Sequence, residues 1–172
     1  MKTLANDEPT MILKTTIFSL AALALLFILR FTPLWDSILS SGSFKSVDFN
    51  TLSLPKKRNW ILVCPEGFCP LANSPRTAPV FDRQSTQLAD QLKEIILSEG
   101  NATVRDDTGV TLDVVIRTPI LRWPDLVSIS YVELPDNQSS LAIFSRSIYG
   151  RSDLGANKAR IKRWLEKLEA PK

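Results

Sequence analysis

The residues best suited to chemistry in this sequence lie close together near its C-terminal end. Ser145, Arg146 and Ser147 are followed by Gly150, Arg151, Ser152, Asp153, Leu154, Gly155, Asn157 and Arg160. A helix starting near Asp153 would present free backbone N–H groups and the positive end of its dipole at this place. With Arg146, Arg151 and Arg160 added, the cluster would hold a phosphate, carboxylate or sulfate, and Ser152, Asp153 and Asn157 complete the candidate ligand-binding set. The same residue types also serve folding alone. Ser152 or Asp153 can cap the helix. Gly150 and Gly155 let the backbone turn tightly. Arg146 and Arg160 can bracket Asp153 or a carboxylate elsewhere, such as Asp125.

Catalytic readings have less to work with. The chain has no histidine, which removes Ser-His-Asp and Cys-His hydrolases, HExxH metalloproteases and every His-ligated metal site. Ser152 sits in Gly-Arg-Ser-Asp-Leu-Gly, which is not the G-x-S-x-G nucleophile elbow. P-loop and GxGxxG motifs are absent from the sequence. Asp153 with Asp125 is a conceivable carboxylate pair of the kind used in glycoside hydrolysis, though nothing in the sequence sets their separation. No residue is assigned a catalytic role, and no cofactor is implied.

Cys64 and Cys69 are the chain's two cysteines, in Cys-Pro-Glu-Gly-Phe-Cys. Two thiolates are too few for zinc, so no metal site is expected. The spacing is not the C-x-x-C of thioredoxin-like redox sites. A structural disulfide in an oxidising compartment is the leading reading. Two free buried thiols and a redox-active pair are the alternatives. Two Asn-x-Ser/Thr sequons, at Asn101 and Asn137, would matter only in a eukaryotic secretory pathway.

The elements that must position these residues can be read from apolar periodicity. Residues 82–98 read as a helix with Asp82 as its cap, Leu88, Leu92, Ile95 and Ile96 on one face and Gly100 as its stop. Trp60–Val63 reads as an edge strand and 102–105 as another. Thr111–Arg117, Leu126–Leu134 and Leu141–Tyr149 alternate as strands, with Pro135-Asp136-Asn137 turning the last two into a hairpin. A final helix over about 153–169 carries Ile161, Trp164, Leu165 and Leu168 as its stripe. The four prolines between residues 64 and 80 argue for an ordered loop. The predicted fold is α+β: an N-terminal transmembrane helix, then one domain with a small antiparallel sheet of 3–5 strands packed by two helices.

Residues 15–29 carry no charge and are flanked by Lys14 and Arg30. With apolar residues on either side, the stretch 11–35 reads as a transmembrane anchor whose flanking cations snorkel and whose Trp35 lies at the interface. The bulky Arg30-Phe31-Thr32-Pro33 lacks the small-residue pattern of a cleaved signal peptide, which is the alternative, with a buried soluble helix as a third. Two positives before the segment against one after place the N-terminus in the cytoplasm. The domain plan is therefore a tail over 1–10, the anchor, a linker over 36–48 and a domain over 49–170. Lys56-Lys57-Arg58 is either a solvated turn or a contact with anionic headgroups. The net charge of +3 is spread along the chain rather than gathered on one face, so nucleic acid is not an expected partner.

The stretch FSRSIYGRSDLGANKARIKRWLEKL resembles the DUF1499 family, domains of unknown function found mainly in bacterial envelopes. The family pattern falls on Ser145-Arg146-Ser147, Gly150, Ser152-Asp153-Leu154-Gly155, Asn157 and Arg160. NWILVCPEGFCP and TPILRWPDLVSI are also similar to family segments, so the likeness runs from about Phe49 to Leu168. Many members carry Pro-Asn-Cys at the second cysteine, where this chain has Gly67-Phe68-Cys69. The resemblance implies an envelope domain and brings no established activity. The resulting expectation is a single-pass protein of the inner membrane with its domain in the periplasm. That domain would be a non-enzymatic module binding an envelope protein partner or a small anionic ligand. A hydrolase of cell-wall or lipid material and a structural subunit of a membrane assembly are the alternatives.

Overall fold

Alternation along the strands decides which side chains face the helices. In Thr111–Arg117, Leu112, Val114 and Ile116 point one way while Asp113, Val115 and Arg117 point the other. The computed structural model describes residues 8–43, 45–73 and 75–170. Two units result, Met1–Ser40 and Ser41–Lys172.

The first unit holds helix α1 (Glu8–Leu29) and the short helix α2 (Pro33–Ile38). Within α1, Thr10–Leu29 is long and apolar enough to cross a membrane, with mean hydropathy 2.3 and none of its span buried. A core helix of a soluble fold would be covered by protein. Two of its hydroxyls are satisfied internally: Thr15 and Thr16 donate to the Ile12 carbonyl at 2.8 and 2.9 Å, a bond that suits an apolar surrounding. Arg30 folds back over the Phe27 and Phe31 rings at 4.0 and 4.4 Å.

The second unit contains β1 (Trp60–Cys64), β2 (Arg76–Thr77), α3 (Ser85–Ser98), β3 (Ala102–Asp107), β4 (Thr111–Arg117), β5 (Pro124–Leu134), β6 (Gln138–Ser147) and α4 (Ala156–Glu169). The sheet order is β2-β1-β6-β5-β4-β3. The β5–β6 hairpin is its spine, paired from Asp125↔Ser147 to Leu134↔Gln138. Asp136 and Asn137 both take positive φ at its turn, the backbone sense that matches strand twist and that Asp and Asn tolerate. One face packs Val114, Ile116, Val127, Ile129 and Ile143 against Leu88, Leu92 and Ile96 of α3 and Ile161, Trp164 and Leu168 of α4. The other face carries a smaller cluster in which Leu62, Cys64, Ala142 and Phe144 meet Phe49, Cys69 and Ala72.

The α+β class and the two packing helices match the sequence reading, but the sheet is larger than 3–5 strands and is not all antiparallel. Six strands form, and β1 pairs β2 in parallel. Two residues in a proline-rich loop give no periodicity to read, yet they are enough to pair with Val63 and Cys64. For the same reason Trp60–Cys64 is not an edge: it lies between β2 and β6. Asp82 does not cap α3. It accepts from Gln138 Nε2 at 2.7 Å, and the Ser85 N–H at the helix start donates instead to Glu133 Oε2 at 3.0 Å. The boundary between units falls inside the stretch read as a linker. Ser41 is already buried, its Oγ accepting from Arg105 at 2.6 Å. Of the predicted tail over 1–10, residues 1–7 lie outside the described residues, and residues 8–10 belong to α1.

Candidate functional site

The C-terminal motif splits between the two faces of the sheet and the solvent, because strand pleat and helix entry point its side chains in different directions. Ser145 and Ser147 face α4 from β6. There Arg160 Nη2 meets Asp125 Oδ2 at 2.6 Å, with side-chain exposures of 7% and 3%. Arg160 Nη1 donates to Asn157 Oδ1 at 2.7 Å and to Ser145 Oγ at 3.3 Å. Ser145 Oγ donates to Asn157 Oδ1 at 2.6 Å, and Ser147 Oγ donates to Asp125 Oδ1 at 2.5 Å. Asn157 Nδ2 reaches Ser147 Oγ at 3.1 Å and the Asn59 carbonyl at 3.3 Å. Asn59 Nδ2 in turn donates to the carbonyls of Ser147 and Gly150 at 3.0 and 3.1 Å. This is a closed, buried polar network tying β1, β5, β6 and α4 together, and burial of its charges is compensated by mutual pairing.

The start of α4 is occupied by the chain itself. Asp153 accepts from Asn157 N at 2.9 Å and from Gly155 N at 3.2 Å, and Ser152 Oγ accepts from Leu154 N at 3.2 Å. A carboxylate at this end satisfies orphan donors and suits the helix dipole. The backbone reaches α4 through Leu154 at φ 51° and Gly155 at φ 82°.

Arg146 stands on the opposite face. Its guanidinium lies 5.0 Å from the centroid of the Phe144 ring, and burial pulls its pKa below the usual arginine value against the opposing pull of Asp113. Asp113 is buried on the same face. Burial raises its pKa above the ordinary aspartate value, opposed by the hydroxyls of Ser128 and Ser46 and by Arg146, while Asp106 adds to the rise.

What faces outward is mostly apolar. Thr118, Trp123, Pro124, Tyr149, Leu154 and Ala156 line a cleft of about 150 Å3 between the loop 118–123 and the loop 149–155. Asp125 and Asp153 also border it, with their carboxylates bonded as above.

A family model described as "Protein of unknown function (DUF1499)" matches residues 53–168. The chain belongs to the DUF1499 family. No curated protein matches it. In this DUF1499 domain the motif and the segment NWILVCP, far apart in sequence, meet through Asn59 and Asn157, which are separated by 98 residues.

Of the six residues read as a ligand set, the fold brings Asp153, Asn157 and Arg160 together around the start of α4, Asn157 and Arg160 inside the network. Arg146 goes to the other face, while Arg151 and Ser152 are exposed. Sequence reasoning missed Asn59, Trp123 and Tyr149 as neighbours of the motif. The pattern Asn-apolar-Pro/Cys was visible, but no local signal points Asn59 at Asn157. Cys64 and Cys69 lie at disulfide distance, with Cα atoms 6.3 Å apart. Among the described residues no cluster of His, Cys, Asp or Glu could hold a metal ion.

Proposed function

We propose that this DUF1499 chain is a membrane-held binding module whose contact surface is the outward side of its motif. There Tyr149 and Leu154 line the cleft with Trp123, and Arg151 is exposed in the same loop as Leu154. One observation carries the reading: the motif's inward groups are spent on one another, while Leu154 is left 97% exposed next to an apolar cleft. Large apolar side chains grouped in this way mark contact surfaces. Of the three motif arginines, Arg151 is the one that is exposed, and it keeps an anionic group on the ligand compatible with the site. The hydrolase alternative has less support, because both carboxylates at the cleft already accept hydrogen bonds from the protein.

For location we propose a single pass through the cytoplasmic membrane of a bacterium by α1, uncleaved, with the N-terminus inside and the domain outside the cytosol. The cysteine pair at disulfide distance favours an oxidising compartment, and Lys2 and Lys14 precede the span while Arg30 follows it. The test is native mass spectrometry of the full chain released gently from its own membrane. A reproducible adduct that disappears in Trp123→Ala supports the binding reading. A bare protein in both forms argues against it. Separately, release of the chain by alkaline carbonate would overturn the anchor.

A further inference from the structure

The two loops bordering the cleft share a layout that points to a particular occupant. The loop 118–123 exposes Ile120 at 73%, Leu121 at 50% and Trp123 at 42%, and the loop 149–155 exposes Leu154 at 97%. Both loops are braced by their own hydrogen bonds. Thr118 N donates to the Trp123 carbonyl at 3.0 Å, Arg122 N donates to the Thr118 carbonyl at 3.0 Å, and Trp123 N donates to Thr118 Oγ1 at 2.9 Å. Arg117 Nη1 holds the Arg122 carbonyl at 2.9 Å. Leu154 is held at φ 51° by the Ser152 and Asp153 bonds that surround it. That backbone is unfavourable for leucine, and it leaves an apolar side chain in water, so folding alone gains nothing from it.

Charge selects the occupant. Arg151 is exposed beside Leu154 in the loop 149–155, and the two carboxylates at this end, Asp125 and Asp153, turn inward to Arg160, Ser147 and the backbone of α4. Apolar tips with a tryptophan beside an exposed cation suit a lipid interface, where the tips enter the acyl boundary and the cation meets anionic headgroups. The same chain carries a helix able to span a bilayer, so a lipid surface is always at high local concentration.

We propose that Ile120, Leu121, Trp123 and Leu154 insert into the headgroup region of an anionic lipid bilayer, making this end of the domain a second, peripheral membrane contact. The inference deepens the binding reading above and rests on its anchor.

The experiment uses the full chain reconstituted into vesicles of phosphatidylcholine, with and without phosphatidylglycerol. An environment-sensitive fluorophore is placed in turn at Ile120→Cys, Leu154→Cys, Val110→Cys and Leu20→Cys. Val110 is also exposed, at 63%, but sits at the other end of β4, about 20 Å away along the strand. The expected result is a blue shift and quenching by acyl-chain doxyl lipids at 120 and 154, stronger with phosphatidylglycerol and absent at 110. Leu154→Asp should abolish the quenching at 120 without lowering Tm, since residue 154 packs against nothing. Labels at 120 and 154 that behave like the one at 110, while the label at 20 is quenched, overturn this inference and leave the anchor standing. A label at 20 that stays aqueous sinks the anchor and this inference with it. Tips that remain aqueous in lipid but crosslink to a protein in native membranes assign the surface to a protein partner and overturn the lipid reading.

Discussion

Arg160 and Asp125 form one of the pairings that the sequence allowed beside the ligand reading of Arg160, and in the fold they serve as a brace. Both are buried, and each has further partners in Asn157, Ser145 and Ser147. Removing one partner leaves a buried charge without compensation, which costs about 3–5 kcal/mol. Arg160→Ala and Asp125→Ala are therefore expected to lower unfolding free energy by that amount in urea titrations. The double replacement Asp125→Leu with Arg160→Met should cost less than either. A ligand-binding arginine would instead leave stability intact. Asp113 gives the opposite case. Its folded-state pKa is raised, so the folded protein holds this proton more tightly than the unfolded chain does. Stability from this site is fully present below the ordinary aspartate value of 3.8 and falls as pH rises through the raised one. Asp113→Asn cannot ionise. Thermal melts should show it more stable than the parent at neutral pH, with the difference shrinking as pH falls toward 4.

At the scale of elements, α4 is fixed at both ends of its first turn by the residues before it. Asp153 satisfies two backbone donors, and Gly155 supplies the left-handed step at φ 82°. Asp153→Ala should cost about 1 kcal/mol of stability, read from the denaturation midpoint at unchanged slope. Helix and strand periodicities in the sequence placed α3, α4 and the β5–β6 hairpin correctly to within a few residues, because each buries a face with a regular repeat. Their ends were less visible. The α3 donor at Ser85 is satisfied by Glu133, which lies 48 residues further along the chain. Strand β2 owes its existence to pairing with β1.

The whole domain is thicker than its helix-facing core. The segment 45–58 covers the second face of the sheet, where Phe49 is buried and tilts against the Phe68 ring at 6.2 Å. Trp60 Nε1 donates to the Pro55 carbonyl at 3.0 Å, and its ring lies 6.2 Å from that of Phe144. The family match begins only at residue 53, yet Phe49 belongs to the folded body. Phe49→Ala should cost about 3–5 kcal/mol, and a soluble fragment starting at residue 53 should melt below one starting at 41 in calorimetry.

Taken by itself, the sequence determined the candidate span, the α+β class, the disulfide spacing and the family motif. Each of these is written in composition, periodicity or local order. Only the tertiary structure decided which motif residues face inward, which face outward and which sit on the other face of the sheet. Pleat sends Arg146 to one side and Ser145 and Ser147 to the other, and register then sets Asp125 opposite Ser147. The inward cluster also needs Asn59, brought to Asn157 by the β1–β6 pairing. Contacts between residues so far apart in the chain depend on closing long loops and on burial against distant elements. No local pattern encodes that, so a set of anion-binding residue types became a structural brace with an apolar cleft outside it.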